Sequence, residues 1–85
     1  MIKAANTLDT IGLYCPMPII LTSQRLKEMK SGDILEVISD DEGIRKDMPV
    51  WCKSTGNQFI ELLEDSGIFK VYIRKGSVES KGLKK

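Results

Sequence analysis

The chain has 85 residues, 41% of them hydrophobic and 29% charged, with 13 Lys plus Arg set against 12 Asp plus Glu. That length holds one domain with a thin core and no large enclosed cavity, and a net charge of +1 selects no polyanionic partner. Two cysteines, Cys15 and Cys52, and no histidine exclude a disulfide framework, a zinc centre and a cysteine–histidine nucleophile pair.

Residues 4–9 read as a short first strand, and Gly12 turns the chain ahead of a helix over 16–29. Pro18, Thr22, Leu26 and Met29 share its core stripe, with Ile19 beside it. Gly32 ends that segment. The run 33–39 carries two apolar pairs around Glu36 and reads as a central strand mostly buried on both sides. Next, Ile44, Met48, Trp51 and Thr55 fall on one helical face with Cys52 at its margin, but Pro49 interrupts them. A turn over 42–46, re-capped by Asp47, followed by a helix over 48–55, reconciles the pattern with the proline. Residues 57–64 and 68–74 flank Asp65-Ser66-Gly67, a hairpin signal, and the second arm alternates Phe69, Val71 and Ile73 with Lys70, Tyr72 and Arg74. From Gly76 onward there is little to bury, which predicts one domain over 1–75 and a flexible tail over 76–85.

The order βαβαββ gives an α+β two-layer sandwich, a four-stranded mixed sheet with two helices on one face. Neither end carries a leader or an apolar span, so the chain is expected to remain cytoplasmic, away from membranes. Nothing in the residues calls for a cofactor or a metal. Lys27, Lys30, Arg45, Lys46 and Lys53 are interleaved with acids and lack alternating aromatics, so direct nucleic-acid binding is not the expected role.

The segment Cys15-Pro16-Met17-Pro18 carries the chemistry. Pro16 pushes Cys15 out of helical dihedrals and suits the first helical position, and Pro18 follows at the third. Met17 then keeps an N–H able to point at sulfur. A thiolate at a helix N-terminus gains about 0.3–1 kcal/mol from the dipole, which lowers its pKa below the free-thiol value near about 8.5. Such a thiol is both nucleophile and leaving group, as a carrier of a transferable group requires. A structural role for Cys15 is the competing account, and for Cys52 a buried inert thiol is the simpler one. Pairing of Cys15 with Cys52 as a redox module is a further alternative, dependent on geometry. Ile20, with Met17, is expected to be exposed beside the sulfur as an apolar docking spot, with Arg25 and Lys27 as a charged fringe.

The stretches 8–20 (LDTIGLYCPMPII), 32–41 (GDILEVISDD), 45–52 (RKDMPVWC) and 72–76 (YIRKG) together resemble the TusA, or SirA-like, family of small sulfur carriers. The resemblance implies a fold like the C-terminal domain of a bacterial translation initiation factor. It further implies that Cys15 accepts sulfane sulfur as a persulfide from a donor such as a cysteine desulfurase or rhodanese-like protein. The sulfur then passes to an acceptor protein, in relatives serving tRNA thiolation, sulfur oxidation, molybdenum-cofactor supply or selenium metabolism. Tyr14 and the residues 42–47 (EGIRKD) depart from the pattern of the tRNA-thiolation carriers.

Overall fold

The hairpin forms where the sequence places it. Ser66 and Gly67 take φ of 54° and 83°, the paired positive values of a two-residue turn whose twist matches that of the strands it joins. They connect β3 (Gln58–Asp65) to β4 (Ile68–Arg74). The structure, a computed structural model, describes residues 4–14 and 16–76. Within β3 the register shifts between Phe59 and Glu61, so that Phe59 lies opposite Ile73 and Leu62 opposite Val71. Residues three apart on a regular strand face opposite sides; the bulge brings both Phe59 and Leu62 onto the core face, where they pack.

The strand order is β1-β2-β4-β3, with β1 (Asn6–Asp9) parallel to β2 (Ile34–Ser39) and β2 antiparallel to β4. The parallel pair needs a crossover, supplied by α1 (Met17–Lys27). Both α1 and α2 (Ile44–Thr55) cover the same face, over a core of Leu26, Met29, Leu35, Val37, Ile44, Met48, Cys52, Phe69, Val71 and Ile73. The mixed sheet and the βαβαββ order are those expected.

β2 is interior in the sheet and no residue of it is fully exposed: Leu35, Val37 and Ser39 are buried, while Ile34, Glu36 and Ile38 are half-buried. Among the described residues the helices form a single layer, and the second sheet face is covered by its own side chains. On that face Glu36 accepts hydrogen bonds from Tyr72 Oη at 2.6 Å and Thr7 Oγ1 at 3.0 Å. Tyr72 is buried for that reason although it points away from the helices.

One expectation is corrected at α2, which is one helix with Pro49 inside it rather than a turn and a helix. Pro49 deprives only the carbonyl of Arg45 of its helical donor, and Arg45 is exposed to water. Ile44, Met48 and Cys52 meanwhile form an unbroken buried stripe across the proline, whereas Thr55 is exposed and Trp51 only half-buried. Gly76 is held at the end of β4: its N–H donates to Asn57 Oδ1 at 3.0 Å and its carbonyl accepts from Ser31 Oγ at 3.4 Å. The rest of the expected tail, residues 77–85, lies outside the described residues.

Candidate functional site

The loop that carries residue 15 is fastened to the end of β2 before α1 begins. Thr10 is fully buried, and its N–H and Oγ1 both donate to the Ile38 carbonyl, at 2.7 and 2.6 Å. Asp9 Oδ1 accepts the Ile11 amide at 2.9 Å, and Asp40 Oδ1 accepts the Gly12 amide at 3.0 Å. Gly12 takes φ of 86°, a conformation that favours glycine. The Leu13 amide then closes a turn on the Thr10 carbonyl at 3.1 Å.

The Met17 N–H donates to the Tyr14 carbonyl at 2.8 Å. Cys15 itself lies outside the described residues. Pro16 occupies the N-cap (φ −98°, ψ 13°) without a side-chain cap, Met17 the first helical position and Pro18 the second. Each proline therefore sits one position earlier in the helix than expected. The Met17 amide thus has the Tyr14 carbonyl as an acceptor. Pro18 is buried and lines a small cleft with Ile19, Asp41, Ile44 and Asp47, so its ring packs between the helices as well as shaping the helix start.

Around this loop the surface is unusually apolar. Ile11, Tyr14, Met17 and Ile20 are 42%, 74%, 41% and 41% exposed, four of the six exposed large hydrophobics among the described residues. Neither Ile11 nor Tyr14 is expected from sequence to belong to the apolar surface; their signal is an apolar side chain in a hydrogen-bonded loop that leads into no strand. Arg25 and Lys27 are not equivalent. At about 100° per residue, Lys27 falls within about 20° of Ile20 around α1, while Arg25 falls about 140° away on the opposite flank. Lys27 is exposed and Arg25 half-buried.

Cys52 stands in contrast. It lies 1% exposed in the core, and burial pushes its thiol up to about 12. Among the described residues no His/Cys/Asp/Glu group could hold a metal, and no helix is long and apolar enough to cross a membrane.

Residues 6–75 match the family model described as Sulfurtransferase TusA. The chain belongs to the TusA, or SirA-like, sulfur-carrier family. The Bacillus subtilis protein YrkI is 42% identical over 74 residues, covering 87% of this chain and 99% of its own. A sulfur carrier protein TusA of Allochromatium vinosum is 43% identical over 68 residues, covering 80% of this chain and 90% of its own. The B. subtilis protein YrkF is 40% identical over 94% of this chain, but the match spans only 43% of that relative's length. The crystal structure of a SirA-like protein from Desulfitobacterium hafniense superimposes with a TM-score of 0.73 at 30% identity, covering 85% of this chain and 99% of that one. For a TusA-family chain the placement of Cys52 matters, because it removes the second cysteine from any exposed chemistry.

Proposed function

We propose that this protein is a sulfur carrier that accepts sulfane sulfur as a persulfide on Cys15 and relays it to an acceptor protein. The observation that carries the reading is the burial of Cys52. The chain has two cysteines, and the buried one, with a pKa near about 12, is essentially all thiol at neutral pH. Cys15 is left as the candidate nucleophile, in a short segment between a fastened loop and a helix N-terminus. Pro18 offers no amide at the start of α1, and the dipole of that helix favours a thiolate near its N-terminus.

In the step proposed, the Cys15 thiolate attacks the outer sulfur of a donor persulfide, R–S–SH. The donor's S–S bond breaks, its inner sulfur leaves as the thiolate R–S⁻ and Cys15–S–SH forms, with no net oxidation. The proton given up by the Cys15 thiol is available to the departing thiolate. Delivery to the acceptor runs the same exchange with Cys15 as the leaving group. A cysteine desulfurase or rhodanese-like protein fits the role of donor, and the sulfur would serve tRNA thiolation, cofactor supply or sulfur and selenium metabolism. A dithiol cycle with Cys52 is disfavoured, since it would require opening the core.

Intact-protein mass spectrometry after incubation with a cysteine desulfurase and cysteine tests the reading. A reducible gain of one sulfur mass is expected in the wild type and in Cys52→Ala and is expected to be lost in Cys15→Ala. Retention of the gain in Cys15→Ala overturns it.

A further inference from the structure

The apolar patch around residue 15 is framed by carboxylates. Asp9 and Asp40 are exposed and bound by hydrogen bonds to the loop itself, at Ile11 and Gly12. On the helix side, Asp41 and Asp47 line the cleft with Pro18 and Ile19, and Glu42 is exposed next to Asp41. Between residues 4 and 24 there is no Lys or Arg. Arg25 stands about 12 Å along the axis from Met17 at a rise of about 1.5 Å per residue, on the flank of α1 away from Ile20. Of the cations that open α2, Arg45 is paired with Glu42 at 3.5 Å and Lys46 is exposed. With Lys27, exposed on the Ile20 flank about 10 Å along the axis from Ile20, five acids thus face three bases at this end among the described residues, although the whole chain is near neutral.

From this we infer that the patch formed by Ile11, Tyr14, Met17 and Ile20 docks a sulfur-donor protein whose persulfide lies in an apolar surface rimmed by Lys and Arg. The inference rests on the carrier reading above and names the chemistry of its partner. Opposite charge across an interface raises the encounter rate and fixes register, and like charge suppresses wrong partners. The same frame disfavours anionic small-molecule sulfur donors at the thiol. The expected Arg25 and Lys27 fringe favours an acidic partner further along α1, whereas Asp9 and Asp40 stand at the loop itself.

Two measurements on the intact protein test this. In the first, Cys15 reacts with a cationic and an anionic methanethiosulfonate, and the ratio of rates is normalised to that of free N-acetylcysteine amide. In the second, Cys15 is loaded from the persulfides of two capped peptides, Lys-Lys-Cys-Lys-Lys and Glu-Glu-Cys-Glu-Glu, followed by mass spectrometry. At low salt the cationic reagent and the Lys peptide should each be favoured by about tenfold. Both preferences should collapse in 0.5 M salt, roughly, where the Debye length is a few Å. They should also shrink in Asp9→Asn/Asp40→Asn, which keeps both amide acceptors and removes both charges. Equal loading from the two peptides, or a preference for the Glu peptide, overturns the inference and leaves the carrier reading standing. Unchanged preference in high salt or in the double variant overturns it as well. Failure of both peptides to load a Cys15 that still reacts with the thiosulfonates overturns the carrier reading and the inference together.

Discussion

Asp40 Oδ1 holds the Gly12 amide at 3.0 Å across 28 residues of sequence, which locks the loop before Cys15 onto the end of β2. Thr10 makes a parallel attachment to Ile38 two residues earlier, through its side chain and its backbone. The segment leading to the thiol therefore arrives with its direction set by the sheet.

Removing the Asp40 anchor should loosen that segment without unfolding the domain. Asp40→Ala is expected to lower stability by about 1 kcal/mol, the worth of an exposed hydrogen bond to a charged acceptor. Asp40→Asn, which can still accept from Gly12, should retain most of it. Urea denaturation of the two variants checks this; equal losses would mean that the charge of Asp40, and not its bond to Gly12, supplies the stability.

Two buried protons make stability depend on alkaline pH. Burial raises the Cys52 thiol from 9.0 to about 12. The hydrogen bond to Glu36, then desolvation and the negative charges of Glu36 and Glu61, raise Tyr72 from 10.0 to about 12. Between the unfolded and folded values the native state holds protons that the unfolded chain has lost, so stability falls as pH rises through that window. It is unaffected by these groups below about pH 9, and each contributes a slope of at most about 1.4 kcal/mol per pH unit. Cys52→Ala and Tyr72→Phe should each flatten the decline between about pH 9 and 12 in denaturation measured across that range. A decline identical to that of the wild type in Cys52→Ala would show that the thiol is not held neutral by the core.

What could be read from sequence follows the range of the interaction involved. The hairpin at Asp65-Ser66-Gly67 is set by three adjacent residues, and the outward placement of Ile20 follows from helical period alone. The course of β2 was harder, because apolar pairs on both sides of Glu36 give no alternation; only the absence of a second layer of helices decides which of them are covered. Pro49 misled in the other direction, since its local cost was evident while the buried stripe of Ile44, Met48 and Cys52 that holds the helix together is tertiary. The acidic frame was invisible for the same reason. Asp9 and Asp40 lie on different strand ends and meet only through the loop that both of them bind. The bulge at Ile60 likewise left no mark in the pattern, as Phe59 and Leu62 read as opposite faces until the extra residue is placed.

Gly76 should prove intolerant of any side chain. A Cβ there would fall on the carbonyl oxygen of Gly56, which is backbone and cannot rotate away. The neighbouring Lys75 is tied on both sides, its N–H to the Asp33 carbonyl at 2.8 Å and its Nζ to the Met29 carbonyl at 2.7 Å, so the strand end has little freedom to retreat. Gly76→Ala is expected to cost about 1–3 kcal/mol, as overpacking does. A lowered Tm with unchanged alkylation of Cys15 is the expected outcome, since this end of β4 lies opposite the start of β2 whereas the Cys15 loop is fastened to the end of β2. A Tm equal to that of the wild type would mean that the two turns part more easily than their hydrogen bonds imply.

The apolar patch makes its own prediction, separable from charge. Ile20 is 41% exposed and one turn of helix past Pro16, whose carbonyl its amide binds at 3.0 Å. Its side chain can therefore be changed without disturbing the core stripe of Pro18, Thr22 and Leu26 on the other side of α1. Asn is the informative replacement, because it is polar and neutral and leaves the carboxylate frame as it was. Burying the two-fifths of Ile20 that is exposed is worth about 0.6–1.2 kcal/mol, which is roughly a threefold to eightfold change in an equilibrium. Ile20→Asn should accordingly slow sulfur transfer from a persulfide-loaded cysteine desulfurase by about threefold to eightfold when the carrier is limiting. Alkylation of Cys15 by iodoacetamide, which needs no docking, should change little. Transfer at the wild-type rate would remove Ile20 from the docking surface and leave the role of Cys15 untouched. Slower alkylation in step with slower transfer would instead show that Ile20 shapes the helix start and not the partner's footing.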